Sequence, residues 1–132
     1  MKSLFAYGSL QLPEVVRAVL GVALEGIPAQ LPGYRRCRIR DRSFPGVRPE
    51  TNGNCPGILY RRIGVAHWRL LDAFEDDFYR RCSLPVQLAD GGCEIAEVYV
   101  VGEESRGILL DEPWDLEQFR AQYLQRFLRD HA

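Results

Sequence analysis

Residues Leu24–Tyr60, LEGIPAQLPGYRRCRIRDRSFPGVRPETNGNCPGILY, decide the fold. Gly26, Pro28, Pro32, Gly33, Pro45, Gly46, Pro49, Gly53, Pro56 and Gly57 punctuate this stretch every few residues. Such spacing breaks helices and suits short strands joined by turns. The stretch predicts strands at Glu25–Leu31, Tyr34–Arg40, Gly46–Arg48 and Gly57–Arg62.

Upstream, the apolar run Lys2–Tyr7 ends at Gly8 and reads as an opening strand. A loop, Gly8-Ser9-Leu10-Gln11-Leu12, leads to Pro13, which a first helical turn tolerates. A helix over Glu14–Leu20 puts Val15, Val16, Val19 and Leu20 on one face, and Gly21 ends it. Downstream, a helix is predicted over Val65–Glu75, then strands at Tyr79–Leu88 and Cys93–Val101 around the turn Asp90-Gly91-Gly92. The tail Asp115–Arg129 carries Leu116, Phe119, Tyr123, Phe127 and Leu128 near helical spacing, so it reads as an amphipathic helix packed on the body. Many strands with three helices predict an α+β fold. The expected form is a small, closed or nearly closed mixed β-barrel with flanking helices, since closure removes exposed edges.

A chain of 132 residues suits one domain, 1–132, with 110–132 as a C-terminal helical extension. At 46% hydrophobic and 27% charged it can bury a core without disulfide or metal staples. Its 17 basic and 18 acidic residues leave a net charge of −1, so no global field recruits nucleic acid or an anionic membrane. The N-terminal apolar run is shorter than a secretory core, and no stretch approaches the ~18 apolar residues of a membrane span. A soluble, cytoplasmic protein is expected. Cys37, Cys55, Cys82 and Cys93 form no CxxC pair and read as buried thiols. His67 and His131 lie near no cysteine in sequence, so a zinc site is not expected. No cofactor is expected.

Two segments carry chemistry. In Tyr7-Gly8-Ser9-Leu10, Gly8 lets the backbone take positive φ or approach a ligand closely. A glycine turn entering a helix can aim several N–H groups at one spot and bind a carboxylate or phosphate. A plain strand-to-helix turn with a serine cap explains the same four residues equally well.

The second segment is the helix ending at Glu75. Trp68, Leu71 or Asp72, and Glu75 follow one helical stripe, so Glu75 lies on or beside the buried face. Burial, the negative helix end and the acids Asp72, Asp76 and Asp77 all raise its pKa, while Arg80 and Arg81 oppose them. A carboxyl raised in this way takes and gives a proton near neutrality. The residues alone also allow Glu75 to be an ordinary solvated acid in an acidic surface cluster. No histidine is placed for a Ser-His or Cys-His triad, and no second inward acid completes a glycosidase pair. Neither GxGxxG nor GxxxxGK[ST] occurs.

An ordered set of segments resembles the γ-glutamylcyclotransferase-like family, in its short AIG2-like and γ-glutamylamine cyclotransferase branch. It consists of Phe5-Ala6-Tyr7-Gly8-Ser9-Leu10, Leu31-Pro32-Gly33-Tyr34, Phe44-Pro45-Gly46-Val47 and Gly57-Ile58-Leu59-Tyr60. Leu71-Asp72-Ala73-Phe74-Glu75, Tyr79 with Arg81, and Ala96-Glu97-Val98-Tyr99-Val100 complete it. The resemblance spans residues 4–101. It implies a small barrel with flanking helices, a YGSL substrate loop at Tyr7–Leu10 and a catalytic glutamate at Glu75. The implied reaction releases 5-oxoproline and a free amine or amino acid from a small γ-glutamyl compound, without metal. Backbone amides of Gly8, Ser9 and Leu10 would hold the substrate α-carboxylate, with Tyr7 and Tyr79 as pocket walls or as core. One departure stands out, because relatives often carry glycine directly after the glutamate and this chain has Asp76. Two readings of another class stay open: a non-catalytic module binding a γ-glutamyl or other anionic ligand, and an interaction domain using the C-terminal helix.

Overall fold

The structure is a computed structural model that describes residues 1–131. Ala132, at the end of the expected 110–132 extension, lies outside the described residues. Five strands close into a barrel: β1 (Lys2–Ala6), β2 (Gly26–Arg38), β3 (Pro45–Ile63), β4 (Tyr79–Leu88) and β5 (Cys93–Val101). Their order round the barrel is β1-β3-β2-β4-β5. All neighbours are antiparallel except β1 and β5, which run parallel with Leu4 opposite Glu97. The expected mixed barrel with flanking helices is therefore the observed fold.

The central stretch departs from its expected form. Four short strands were predicted there, and two long ones form. The punctuating residues bend a continuous ribbon instead of ending it. Gly33 takes a left-handed φ of 81°, and the β2–β3 register slips between Pro32 and Tyr34. Pro32 faces Asn54 whereas Tyr34 faces Pro49, so Glu50–Gly53 bulge out of one strand. Glycine without a Cβ accommodates that bend at no steric cost. On its other edge β2 meets β4 only through Ala29–Leu88 and Gln30–Gln87, so the barrel closes over a narrow seam.

Strand alternation sorts side chains into two cores. Phe5, Leu59, Val98 and Val100 point into the barrel with Leu31, Val47, Cys55 and Val86. Leu4, Ala6, Tyr60 and Tyr99, one step along, point outward into a second core shared with the helices. Those helices are α1 (Pro13–Leu20), α2 (Val65–Phe74), α3 (Leu116–Gln122) and α4 (Leu124–His131). Pro13 opens α1 and Gly21, at φ 76°, caps its end by donating to Arg17 O.

Two helical expectations need correction. The tail was read as one helix over Asp115–Arg129, but Tyr123, at φ −124°, separates α3 from α4. Helical hydrogen bonds still run through it, from Tyr123 N to Phe119 O at 2.8 Å and from Phe127 N to Tyr123 O at 2.9 Å. Asp115 caps α3 by accepting a 3.0 Å bond from Gln118 N. The other correction concerns α2, which ends at Phe74, one residue before Glu75. Among the described residues no helix is long and apolar enough to cross a membrane.

Candidate active site

The turn after β1 is fixed from three sides. Gly8 is followed by a single 3₁₀ turn, Ser9–Gln11, closed by a 3.0 Å bond from Gln11 N to Gly8 O. Gln11 Nε2 reaches back to Tyr7 O at 2.8 Å, and Arg36 Nη1 donates to the same carbonyl at 2.9 Å. Tyr60 Oη donates to Leu10 O at 2.7 Å from the outer face of β3. The first N–H groups of any helical turn have no partner within it, so the amides of Gly8, Ser9 and Leu10 are left to other acceptors.

Gly8 is required for space and not for handedness. Its φ is −119°, so the positive φ considered from the sequence does not occur. A Cβ there would lie 3.0 and 3.1 Å from the ring carbons of Pro45. The serine-cap reading is also corrected, since no side chain caps this turn and Ser9 is buried.

Glu75 faces the turn across a cavity of about 540 Å³, counting its open mouth. Tyr7, Gly8, Ser9, Leu10, Glu75 and Tyr79, all singled out from the sequence, line this one cavity. Glu75 does not arrive there by the helical stripe expected. It caps α2 with extended dihedrals, φ −76° and ψ 143°, while its N–H still bonds Leu71 O at 3.1 Å. The chain therefore turns off the helix at Glu75. Trp68 and Leu71 are buried, as the stripe required.

Burial, chiefly, raises the Glu75 carboxyl to about 8, and the charges of Asp76 and Asp72 add to it. No hydrogen bond or ion pair to that carboxyl forms among the described residues. The arginines that might have countered it are engaged elsewhere. Arg80 pairs with Glu104. Arg81 lies 4.5 Å over the Trp68 ring and 3.5 Å from Asp72.

The two tyrosines are held by backbone carbonyls. Tyr7 Oη donates to Tyr99 O, and Tyr79 Oη donates to Pro45 O at 2.6 Å. Each hydroxyl has spent its one proton, so it can only accept a further bond. Burial, with the nearby Glu75 charge, pushes both phenols well above the ordinary tyrosine range. Both therefore stay neutral at any physiological pH.

Sequence reasoning missed much of the cavity wall. Phe44, Phe74, Tyr99 and Phe127 line it as well. Phe127 stands edge-on to Phe74 at 5.9 Å and to Phe44 at 6.5 Å, so α4 supplies part of the site. Phe44, Phe74 and Tyr99 stand in segments that carried the family resemblance, which was the one available signal, and Phe127 lies outside them. Among the described residues no three His, Cys, Asp or Glu side chains gather as metal ligands.

The family described as gamma-glutamyl cyclotransferase, AIG2-like, matches residues 4–116. "AIG2-like protein C" of Arabidopsis thaliana is 36% identical over 118 residues, covering 89% of this chain and 68% of its own length. "AIG2-like protein D" of the same plant is 30% identical over 131 residues, covering 98% and 86%. A solution structure of another Arabidopsis thaliana protein superposes with a TM-score of 0.76 at 25% identity, over 98% of this chain and 87% of that one. A structure titled "Gamma-glutamyl cyclotransferase" shares the fold, with a TM-score of 0.69 at 15% identity over 76% of this chain and 66% of that one.

Proposed function

This chain belongs to the gamma-glutamyl cyclotransferase, AIG2-like family, and on that premise we propose that it releases 5-oxoproline from γ-glutamyl compounds, with Glu75 as acid and base. One observation carries the proposal: an unpaired carboxyl, raised to about 8, shares a cavity with the glycine turn Gly8–Leu10.

The reaction needs little more than folding and proton transfer. The substrate α-amine attacks its own γ-carbonyl carbon, a new C–N bond closes a five-membered ring, and the γ-amide C–N bond breaks. Because attack is intramolecular, holding the substrate bent supplies much of the rate. The amine is protonated at neutral pH, so Glu75 first takes that proton. It passes that proton to solvent at the cavity mouth, takes a second from the ring nitrogen as the new C–N bond forms, and gives this one to the departing nitrogen, which leaves as a free amine. One carboxyl serves both steps when its pKa lies near the working pH. A pocket that only bound its ligand would gain nothing from such a sheltered, unpaired acid.

The other groups take supporting roles. The amides of Gly8, Ser9 and Leu10 hold the α-carboxylate and fix the bend. The Tyr7 and Tyr79 hydroxyl oxygens accept from the substrate ammonium. Buried aromatic walls exclude water from the ring-closing centre. Four free thiols among the described residues support placing the protein in a reducing compartment, the cytoplasm. Incubation with γ-glutamyl amines, scored for 5-oxoproline, tests the activity. Binding without release would favour a non-catalytic module.

A further inference from the structure

We propose, resting on the cyclotransferase reading, that Arg36 is a positioning residue that acts through the Tyr7–Gly8 peptide on the substrate α-carboxylate, which it does not touch. Its Nη1 donates to Tyr7 O at 2.9 Å from behind the glycine turn. That carbonyl and the Gly8 N–H belong to one trans peptide unit, so they point in opposite directions. Gln11 Nε2 reaches the same carbonyl at 2.8 Å, and neither Arg36 nor Gln11 lines the cavity. Gly8 does line it, and its N–H makes no hydrogen bond among the described residues. The protein therefore holds the carbonyl side of this peptide and leaves the N–H side to a ligand.

Satisfying a turn carbonyl does not need a charge. Gln11 already does so with a neutral amide, and half-burying a guanidinium costs desolvation. Arg36 nevertheless makes no ion pair among the described residues, whereas Arg35 pairs with Asp111 and Glu50, and Arg38 with Glu112. Its other contacts are Pro56 O, 3.5 Å from Nη1, and the Trp114 ring, whose centroid lies 5.3 Å from Cζ. Trp114 is buried, and its Nε1 donates to Ser43 O at 2.7 Å, which fixes the indole. The ring holds the guanidinium by its π face and leaves the charge uncancelled. Of the acids on the cavity, Asp76 has Arg42 at 3.9 Å, and Glu75 serves the substrate ammonium.

A charge in this place acts in two ways. A charge-assisted bond to Tyr7 O polarises the peptide, which makes the Gly8 N–H a stronger donor to an anion. The charge also acts directly, since a carboxylate held by the Gly8 amide lies about 8 Å from the guanidinium. At that range opposite charges in a partly screened site change affinity by about tenfold. A neutral carboxamide in place of the carboxylate gains little from either effect. The signature of Arg36 is therefore a selective gain for the acid. A residue that merely held the turn would serve acid and amide alike.

The test uses 5-oxoproline, the ring product shared by every γ-glutamyl substrate, and 5-oxoprolinamide, whose carboxylate is a neutral carboxamide. Each is titrated into the full chain and followed by protein NMR shifts, which also report the fold of each variant. The wild type should bind the acid at least about tenfold more tightly than the amide. Arg36→Met should cut that ratio by about tenfold, chiefly by weakening the acid. Arg36→Gln, which keeps a neutral donor, should do the same and stands in if the methionine variant does not fold. Arg36→Lys, which restores the charge, should keep most of the ratio. Arg35→Met removes the same charge from the neighbouring, paired position and should leave the ratio as in the wild type. Equal affinities in the wild type, an unchanged ratio in a folded neutral variant, or a lysine variant as poor as the glutamine one would each overturn the role of Arg36 alone. A wild type that releases no 5-oxoproline from γ-glutamyl amines and binds neither compound would sink the cyclotransferase reading, and Arg36 with it.

Discussion

The hydroxyl of Tyr60 donates a 2.7 Å hydrogen bond to the carbonyl of Leu10, tying the cavity's glycine turn to the outer face of β3. Tyr60 is buried, and burial pushes its phenol up to about 12, so the donor is never ionised in ordinary buffers. Tyr60→Phe keeps the ring and strands the carbonyl without its partner. The expected stability loss is about 1–2 kcal/mol by denaturant titration. KM should rise several-fold as the turn loosens. An unchanged KM would show that the turn is held without this bond.

Gly8→Ala tests the close approach of the turn to Pro45. The added carbon would meet the proline ring at 3.0 Å, and that ring cannot rotate away. The turn must therefore shift by a few tenths of an ångström, moving its amides off target. Catalytic efficiency should fall at least about tenfold, mostly through KM, with the fold retained by circular dichroism.

The charge of Asp76 is the first of the two acids that raise Glu75 after burial. Asp76→Asn removes that charge at nearly constant shape. If Glu75 is the base, kcat/KM in the wild type climbs with pH and levels off above about 8. The Asn variant should reach its plateau at lower pH. A rise that does not move would detach the profile from Glu75.

Stability should follow the same carboxyl. Its folded pKa of about 8 exceeds the ordinary 4.5, so the folded state holds the proton more tightly than the unfolded chain. The resulting stabilisation is full below about 4.5 and is lost progressively as pH rises to about 8. Glu75→Gln, which cannot ionise, should escape that loss. The variant's advantage over the wild type should grow across this window, reaching on the order of 1–3 kcal/mol above it. Parallel stability curves for the two proteins would mean that Glu75 is well solvated.

Much of this could be read in the chain, for reasons that differ along its length. Strands Tyr79–Leu88 and Cys93–Val101 came out with their observed bounds, because the Asp90-Gly91-Gly92 turn leaves one way to pair them. The β2–β3 ribbon did not, because glycine and proline mark bends and ends alike, and only the partner strand decides between them. Tyr7–Leu10, Glu75 and Tyr79 were recognisable as segments of a family pattern. The extended dihedrals of Glu75 were not, since no glycine or proline at that position announces the end of α2. Phe127 looked like any apolar residue on an amphipathic stripe. Its place beside Phe44 and Phe74 depends on where α4 docks, which no local pattern encodes.

The most direct measurement of the central claim is 5-oxoproline release by Glu75→Gln, beside the wild type, on a γ-glutamyl substrate that the wild type turns over. The glutamine fills the same space but can neither take nor return a proton. Release should fall by at least about 10²-fold with the fold and substrate binding retained. Turnover by the folded glutamine variant at the wild-type rate would contradict the account.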